Sequence, residues 1–147
     1  MKDWPHSKIR SAALSHIRRS IMKESEWLYT EVDRLHAPIG DDIQLEKEEH
    51  PLVSFFLDSS NWWVMTTGRC VGVTSGERFS VNPVTATQWI WGNFKHQGRA
   101  ELETVRVTRD DGTSVDFLYE TGYASMAPIH YQRFWELKYP ILHKLAV

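Results

Sequence analysis

At 147 residues, 41% of them apolar and 24% charged, the chain has the size of one ordinary domain, and the composition excludes a disordered or fibrous protein. Seventeen basic against nineteen acidic residues leave a formal net charge of −2, too small to draw the whole molecule to nucleic acid or an anionic membrane. A single cysteine, Cys70, cannot form an internal disulfide and reads as a small buried strand residue in a reducing compartment.

Charge is unevenly spread. Residues 1–36 carry +2, residues 37–60 carry −5, residues 61–123 carry −1 and the remainder +2. The opening MKDWPHSKIRSAAL has no continuous apolar stretch, so no secretory signal is read from it. No run approaches the ~18 apolar residues that cross a bilayer, and a cytoplasmic location is expected.

In chain order, Ile9, Ala13, Ile17, Ile21, Leu28, Val32 and Leu35 recur at helical spacing. They predict one long amphipathic helix over residues 7–36, or two broken near Ser25, with Ser7 as N-cap and Pro38 and Gly40 as the stop. Lys8, Arg10, Arg18, Arg19 and Lys23 fall off the apolar stripe, on a solvated face. Residues 41–50, DDIQLEKEEH, hold five acids and one lysine and read as a polar connection, with a short strand conceivable at residues 43–45. LVSFFLD after Pro51 is a strand.

Residues 61–81, NWWVMTTGRCVGVTSGERFSV, are the densest β signal. The strand is expected to continue past Gly68 to Val73, turn at Ser75-Gly76 and return through Arg78 to Val81. Asn82-Pro83 marks a turn, and residues 84–94 alternate as a strand that His96-Gln97-Gly98 closes. At Trp89-Ile90-Trp91 both faces are apolar, which means either a strand covered on both sides or an exposed aromatic contact.

The next hairpin has a derivable register. A two-residue Asp111-Gly112 loop would set Val107 against Asp116 and Arg106 against Phe117. A three-residue loop, Asp110-Asp111-Gly112 with Gly112 left-handed, sets Val107 against Val115, Val105 against Phe117 and Arg106 against Asp116, so that like meets like and charge meets opposite charge. The three-residue loop is the prediction. From Ser125 the chain turns helical, with Pro128 suited to a first turn and Tyr131, Phe134, Trp135 and Leu142 on one face. Pro140 should bend or end the helix, leaving Ile141, Leu142 and Leu145 as a last turn.

The expected fold is α+β in a single domain, residues 1–147. It comprises an N-terminal helical extension (1–40), a strongly bent antiparallel sheet or small barrel of about five to seven strands (41–123) and a C-terminal helix packed on it (124–147). WVMTTGRCVGV at residues 63–73 resembles the hairpin-entering strand of bacterial pleckstrin-homology-like domains, and the C-terminal helix is similar to the one that plugs their barrel. The resemblance covers residues 52–145 and implies a binding scaffold.

No chemistry-bearing motif stands out. His6, His16, His36, His50, His96, His130 and His143 are scattered without metal spacing, Glu48, Glu49 and His50 are adjacent but point in different directions, and there is no nucleophile elbow or phosphate loop. No metal, cofactor or nucleic-acid partner is expected, and peripheral membrane contact is not expected either. The reading is a non-catalytic protein-interaction module, such as an immunity-type protein that neutralises a toxin, with Asp41, Asp42, Glu46, Glu48, Glu49, Trp89 and Trp91 as the partner surface. The alternatives are a lipid-headgroup or peptide-binding module using Arg69, Arg78, Lys95 and Arg99, and a small-ligand enzyme of unknown reaction.

Overall fold

Pairing between the β-rich runs produces two antiparallel sheets, seen in a computed structural model that describes residues 4–95 and 101–140. The first sheet has five strands in sequential order: β1 (Thr30–Val32), β2 (Pro51–Asp58), β3 (Asn61–Thr66), β4 (Cys70–Thr74) and β5 (Glu77–Val81). The second has three: β6 (Gln88–Ile90), β7 (Leu102–Thr108) and β8 (Ser114–Glu120). Helix α1 (His6–Arg18) and the C-terminal helix α3 (Met126–Arg133), which continues into a π-helical turn at Phe134–Lys138, pack against β2 and against each other. A four-residue helix α2 (Ala37–Gly40) lies between β1 and β2 in the chain. The fold is α+β with the C-terminal helix on a sheet, but the strands form two sheets of five and three rather than a closed barrel.

Side-chain alternation places the core. On the five-stranded sheet, Phe55, Trp63, Met65, Cys70, Phe79 and Val81 face inward, where they join Val105, Val107, Phe117 and Tyr119 of the second sheet and Ile9, Ala13, Ile17, Tyr131, Phe134 and Trp135 of the helices. Aromatic rings bridge the sheets, Phe79 stacking on Phe117 at 4.8 Å and Trp63 meeting Phe117 edge-on at 6.1 Å, and within the first sheet Trp63 stacks on Phe55 at 5.5 Å. Such pairs contribute about 0.5 to 1.5 kcal/mol each beyond their buried area. The Trp63 indole also donates to the Leu118 carbonyl at 2.7 Å, a direct bond from sheet to sheet. Trp62, Val64, Val71 and Val73 point the other way into a smaller cluster closed by Ile39 of α2 with Leu35, Ile43 and Phe56. The first sheet is therefore covered on both faces, which is why the run WWVM is apolar at every position.

The N-terminal helix is half the expected length. It ends at Arg18, Lys23 adopts a left-handed conformation (φ 54°), and a 3₁₀ turn at Glu24–Glu26 leads into β1. Leu28, assigned by its spacing to the apolar stripe, is 64% exposed. Pairing of Thr30, Glu31 and Val32 with Phe55, Ser54 and Val53 outweighs helical spacing there, and two of the three strand residues are β-branched. Pro5, not Ser7, holds the N-cap position, and Pro38 starts a helical turn rather than stopping one. Residues 43–45 are not a strand.

The expected continuous strand across Gly68 is instead a reversal between β3 and β4. The Thr66 hydroxyl accepts the Gly68 and Arg69 N–H groups at 3.1 and 3.0 Å, and Thr66 N–H bonds the Arg69 carbonyl at 2.8 Å. A threonine side chain thus supplies the turn. The Ser75-Gly76 turn between β4 and β5 stands as predicted. The long strand expected over residues 84–94 shortens to Gln88–Ile90, because residues 82–86 are turned on the Asn82 carbonyl and side chain.

The β7–β8 hairpin has the derived register: Val107 opposite Val115, Val105 opposite Phe117, Arg106 opposite Asp116. Arg106 and Asp116 make two parallel bonds of 2.8 and 3.0 Å, and Gly112 is left-handed at φ 88°. At the C-terminal end, Phe134 and Trp135 are buried at 0% and 4% exposure. Pro128 occupies the third position of α3 rather than the first. Residues 96–98, 141, 142 and 145, to which a strand end and a last helical turn were assigned, lie outside the described residues.

Two glycines separate two physical causes. A Cβ on Gly72 would lie 2.2 Å from the Trp62 carbonyl oxygen and 2.7 Å from Trp63 Cα, so Gly72→Ala is expected to cost about 3 kcal/mol through forced strand separation. A Cβ on Gly112 meets nothing within 4 Å, so Gly112→Ala should cost only about 1 kcal/mol, for backbone strain. Urea denaturation of both variants checks this, and equal midpoints would refute the distinction. Phe134→Ala should cost about 3 to 5 kcal/mol if α3 and its π-helical turn complete the core, and an unchanged denaturation midpoint would show that they do not.

Candidate functional site

Two linked polar groups lie around the β3–β4 reversal and the start of β2. The first centres on Asp33, which follows β1 in a left-handed conformation (φ 65°) that aspartate tolerates better than most residues. Arg10 of α1 donates from Nη2 to both carboxylate oxygens at 3.1 Å, Arg18 Nη2 lies 3.5 Å from Oδ2, and His50 Nε2 lies 2.7 Å from Oδ1. Burial alone would raise the Asp33 carboxyl, but the His50 bond and the Arg10 charge and bond hold it below the usual aspartate range. The His50 backbone N–H donates to the Thr67 hydroxyl at 3.1 Å, and His6 Nδ1 lies 2.6 Å from the same oxygen. Helix α1 is tied to the sheet through these contacts.

The second group centres on Glu49. Arg69 donates Nε to Oε2 at 2.9 Å and Nη2 to Oε1 at 3.1 Å, the Thr66 hydroxyl donates to Oε2, and Oε1 accepts the Glu46 N–H at 2.9 Å. Burial pulls the Glu49 carboxyl upward, and the bonds from Arg69, Thr66 and Glu46 outweigh it, leaving the group below the ordinary glutamate value of 4.5. Arg69 also reaches the Gln44 carbonyl at 3.0 Å, and Arg78 reaches the Asp42 carbonyl at 3.4 Å. With Ile39 and Ile43 packed in the smaller cluster, these bonds fix residues 41–49 without regular secondary structure.

This geometry divides the residues singled out from the sequence. Asp41, Asp42, Glu46 and Glu48 are exposed on the fixed loop, whereas Glu49 is 8% exposed and turned inward to Arg69. Trp89 and Trp91 are each 8% exposed and stacked on one another at 5.8 Å; Trp91 also meets Tyr119 edge-on and donates its indole N–H to Gln132 at 2.5 Å. They belong to the core, and only Ile90 between them, at 48% exposure, is open. Of the proposed ligand-binding cations, Arg69 is engaged by Glu49, Arg78 faces the acidic loop and Lys95 lies 5.8 Å above the Phe94 ring. They do not converge on one another, and Arg99 lies outside the described residues.

Cys70 is wholly buried, and burial pushes its thiol far above the ordinary range. Glu48, Glu49 and His50, adjacent in sequence, point to solvent, to Arg69 and to Asp33 respectively. Sequence reasoning missed Asp33 because it lay inside the presumed helix. The available signal was the run Thr30-Glu31-Val32-Asp33, strand-forming residues ahead of one suited to a left-handed turn. Among the described residues no three His, Cys, Asp or Glu side chains are grouped to hold a metal, and no helix is long and apolar enough to cross a membrane. No family model matches the chain, and no curated protein or solved structure matches it either.

The depressed carboxyls set an acid limit on stability. Glu49 has its folded pKa below the unfolded 4.5, so the unfolded chain takes up the proton first as pH falls. The stabilisation is complete above 4.5 and drains away through and below it. Glu49→Gln should therefore lower stability at neutral pH and flatten the loss between about pH 5 and pH 3, measured by denaturant midpoints. An unchanged slope in the variant would show that the pair is not the titrating element.

Proposed function

We propose that this protein is a non-catalytic interaction module that presents the acidic edge formed by Asp41, Asp42, Glu46 and Glu48 to a basic protein partner. The observation that carries the reading is that Asp41, Asp42, Glu46 and Glu48 are exposed while the loop that bears them is held at several separate points, by the Glu49–Arg69 pair, by Arg69 on Gln44, by Arg78 on Asp42 and by Ile43 in the smaller cluster. A loop fixed in advance loses little conformational freedom on binding, so its charges convert more fully into affinity and into long-range steering. Neutralisation of a basic toxin by an immunity-type protein is the specific form proposed, because acidic edges of this kind complement basic catalytic surfaces. The PH-like headgroup reading has less support, since Arg69 is taken by Glu49 and the sheets do not close into a barrel.

Asp41→Asn, Asp42→Asn, Glu46→Gln and Glu48→Gln together leave the Glu49–Arg69 pair intact. A partner retained from host lysate by the wild-type chain should associate with this variant about tenfold more slowly, with a flattened salt dependence, while the dissociation rate and the melting temperature change little. Association at the wild-type rate at both low and high salt would overturn the acidic edge.

A further inference from the structure

We propose that the Asp111–Gly112 peptide is a modification site, at which the β7–β8 loop rearranges to isoaspartate, and that Thr113 and the Arg109 carbonyl hold this reaction back while the hairpin is closed. Asp111 is the one aspartate or asparagine in the chain that glycine follows, and glycine is the neighbour that least obstructs attack of its own peptide nitrogen on the preceding side-chain carboxyl. Both residues are exposed, Gly112 is left-handed at φ 88°, and a Cβ there would meet nothing within 4 Å. No packing beyond its chain neighbours shields the peptide. Its restraint is hydrogen bonding at the two reacting groups.

The nitrogen is the nucleophile and must give up its proton, yet the Gly112 N–H donates to the Arg109 carbonyl at 3.1 Å. The carboxyl is the electrophile and must be protonated, so that its hydroxyl leaves as water. Asp111 Oδ1 instead accepts the Thr113 hydroxyl at 2.6 Å and the Thr113 backbone N–H at 2.9 Å, and these bonds hold the group below the usual aspartate range, as a carboxylate. Arg109 Nη1 donates to the same hydroxyl oxygen at 3.2 Å, which leaves the hydroxyl hydrogen to Asp111. Where attack succeeds, a bond forms between the Gly112 nitrogen and Asp111 Cγ, a C–O bond of the carboxyl breaks, and the hydroxyl departs with the nitrogen's proton as water, closing a succinimide ring. Water then opens the ring at the main-chain carbonyl, so that the chain runs through Cβ and Cγ of residue 111 and the α-carboxylate becomes the side group. Water is the only co-reactant. The loop gains one backbone atom, and the three-residue length that sets Val107 against Val115 is lost. The site shares no residue with the acidic edge.

Peptide mapping measures the reaction, because the tryptic peptide that begins at Asp110 separates by chromatography into aspartyl and isoaspartyl forms of equal mass. Over weeks at neutral pH and physiological temperature, the folded chain should form isoaspartate about tenfold more slowly than the same peptide incubated alone, the factor that one hydrogen bond to a charged group contributes. Thr113→Val removes the hydroxyl and should speed the folded chain several-fold, while the corresponding free peptide reacts at its unsubstituted rate. Thr113→Ser keeps the hydroxyl and should react as the wild-type chain does. Urea midpoints of both variants check that they are folded, and the comparison of folded chain with free peptide needs neither variant. A folded chain that reacts as fast as the peptide, no isoaspartate at residue 111 in either, or a folded Thr113→Val chain that reacts at the wild-type rate would each overturn the proposal.

Discussion

One buried carboxylate joins the two sheets. Glu120, at the end of β8 and 1% exposed, accepts the backbone N–H of Leu28 at 2.7 Å and of Tyr29 at 2.9 Å, and the Thr30 hydroxyl at 2.8 Å. Burying a carboxylate unpartnered would cost several kcal/mol, and three donors offset that cost. The donors come from the lead-in to β1, in the first sheet, while the acceptor belongs to the second. Residues 28–30 are thereby held in the bend that leads into β1, and helical continuation from α1 would strip Glu120 of its partners. Where Asp33 sits follows from this, because β1 delivers it beside Arg10, Arg18 and His50.

The aromatic core answers a different constraint. Of the seven tryptophans, six lie in or against the larger cluster and the seventh, Trp62, is buried on the other face of β3, with Trp63 inward and Trp62 outward. Outward rings need a lid, which Ile39, Leu35 and Ile43 provide. The segment that closes the smaller cluster is therefore the same one that runs on into the acidic loop, and packing beneath the sheet fixes charge above it. Dissolving the smaller cluster would loosen the loop even with every acidic residue in place.

How far the sequence could be read depended on the range of the interaction. The β7–β8 register was legible because loop length, apolar pairing and the Arg106–Asp116 charge match all lie within one local hairpin. The strand at Pro51–Asp58 and the start of the one at Asn61–Thr66 were legible from residue type, but not the reversal after Thr66. Residues 20–36 were misread because Ile21, Leu28 and Leu35 keep a helical period by coincidence, while the deciding partners, Glu120 and β2, lie far off in the chain. The Trp89-Ile90-Trp91 ambiguity had the same origin: only the placement of Gln132 and Tyr119 shows that both indoles are covered. Of the acidic site, composition showed the charge but not which acid turns inward.

That inward turn decides what the loop can do. Five acids on ten residues repel one another, and a loop carrying only exposed carboxylates would spread in solution. Turning Glu49 to Arg69 removes one charge from the repelling set and spends it on fixation, through a pair whose carboxylate is 2% exposed and therefore little screened by salt. The four remaining acids stay in water, where pairing would gain little and where their field extends furthest.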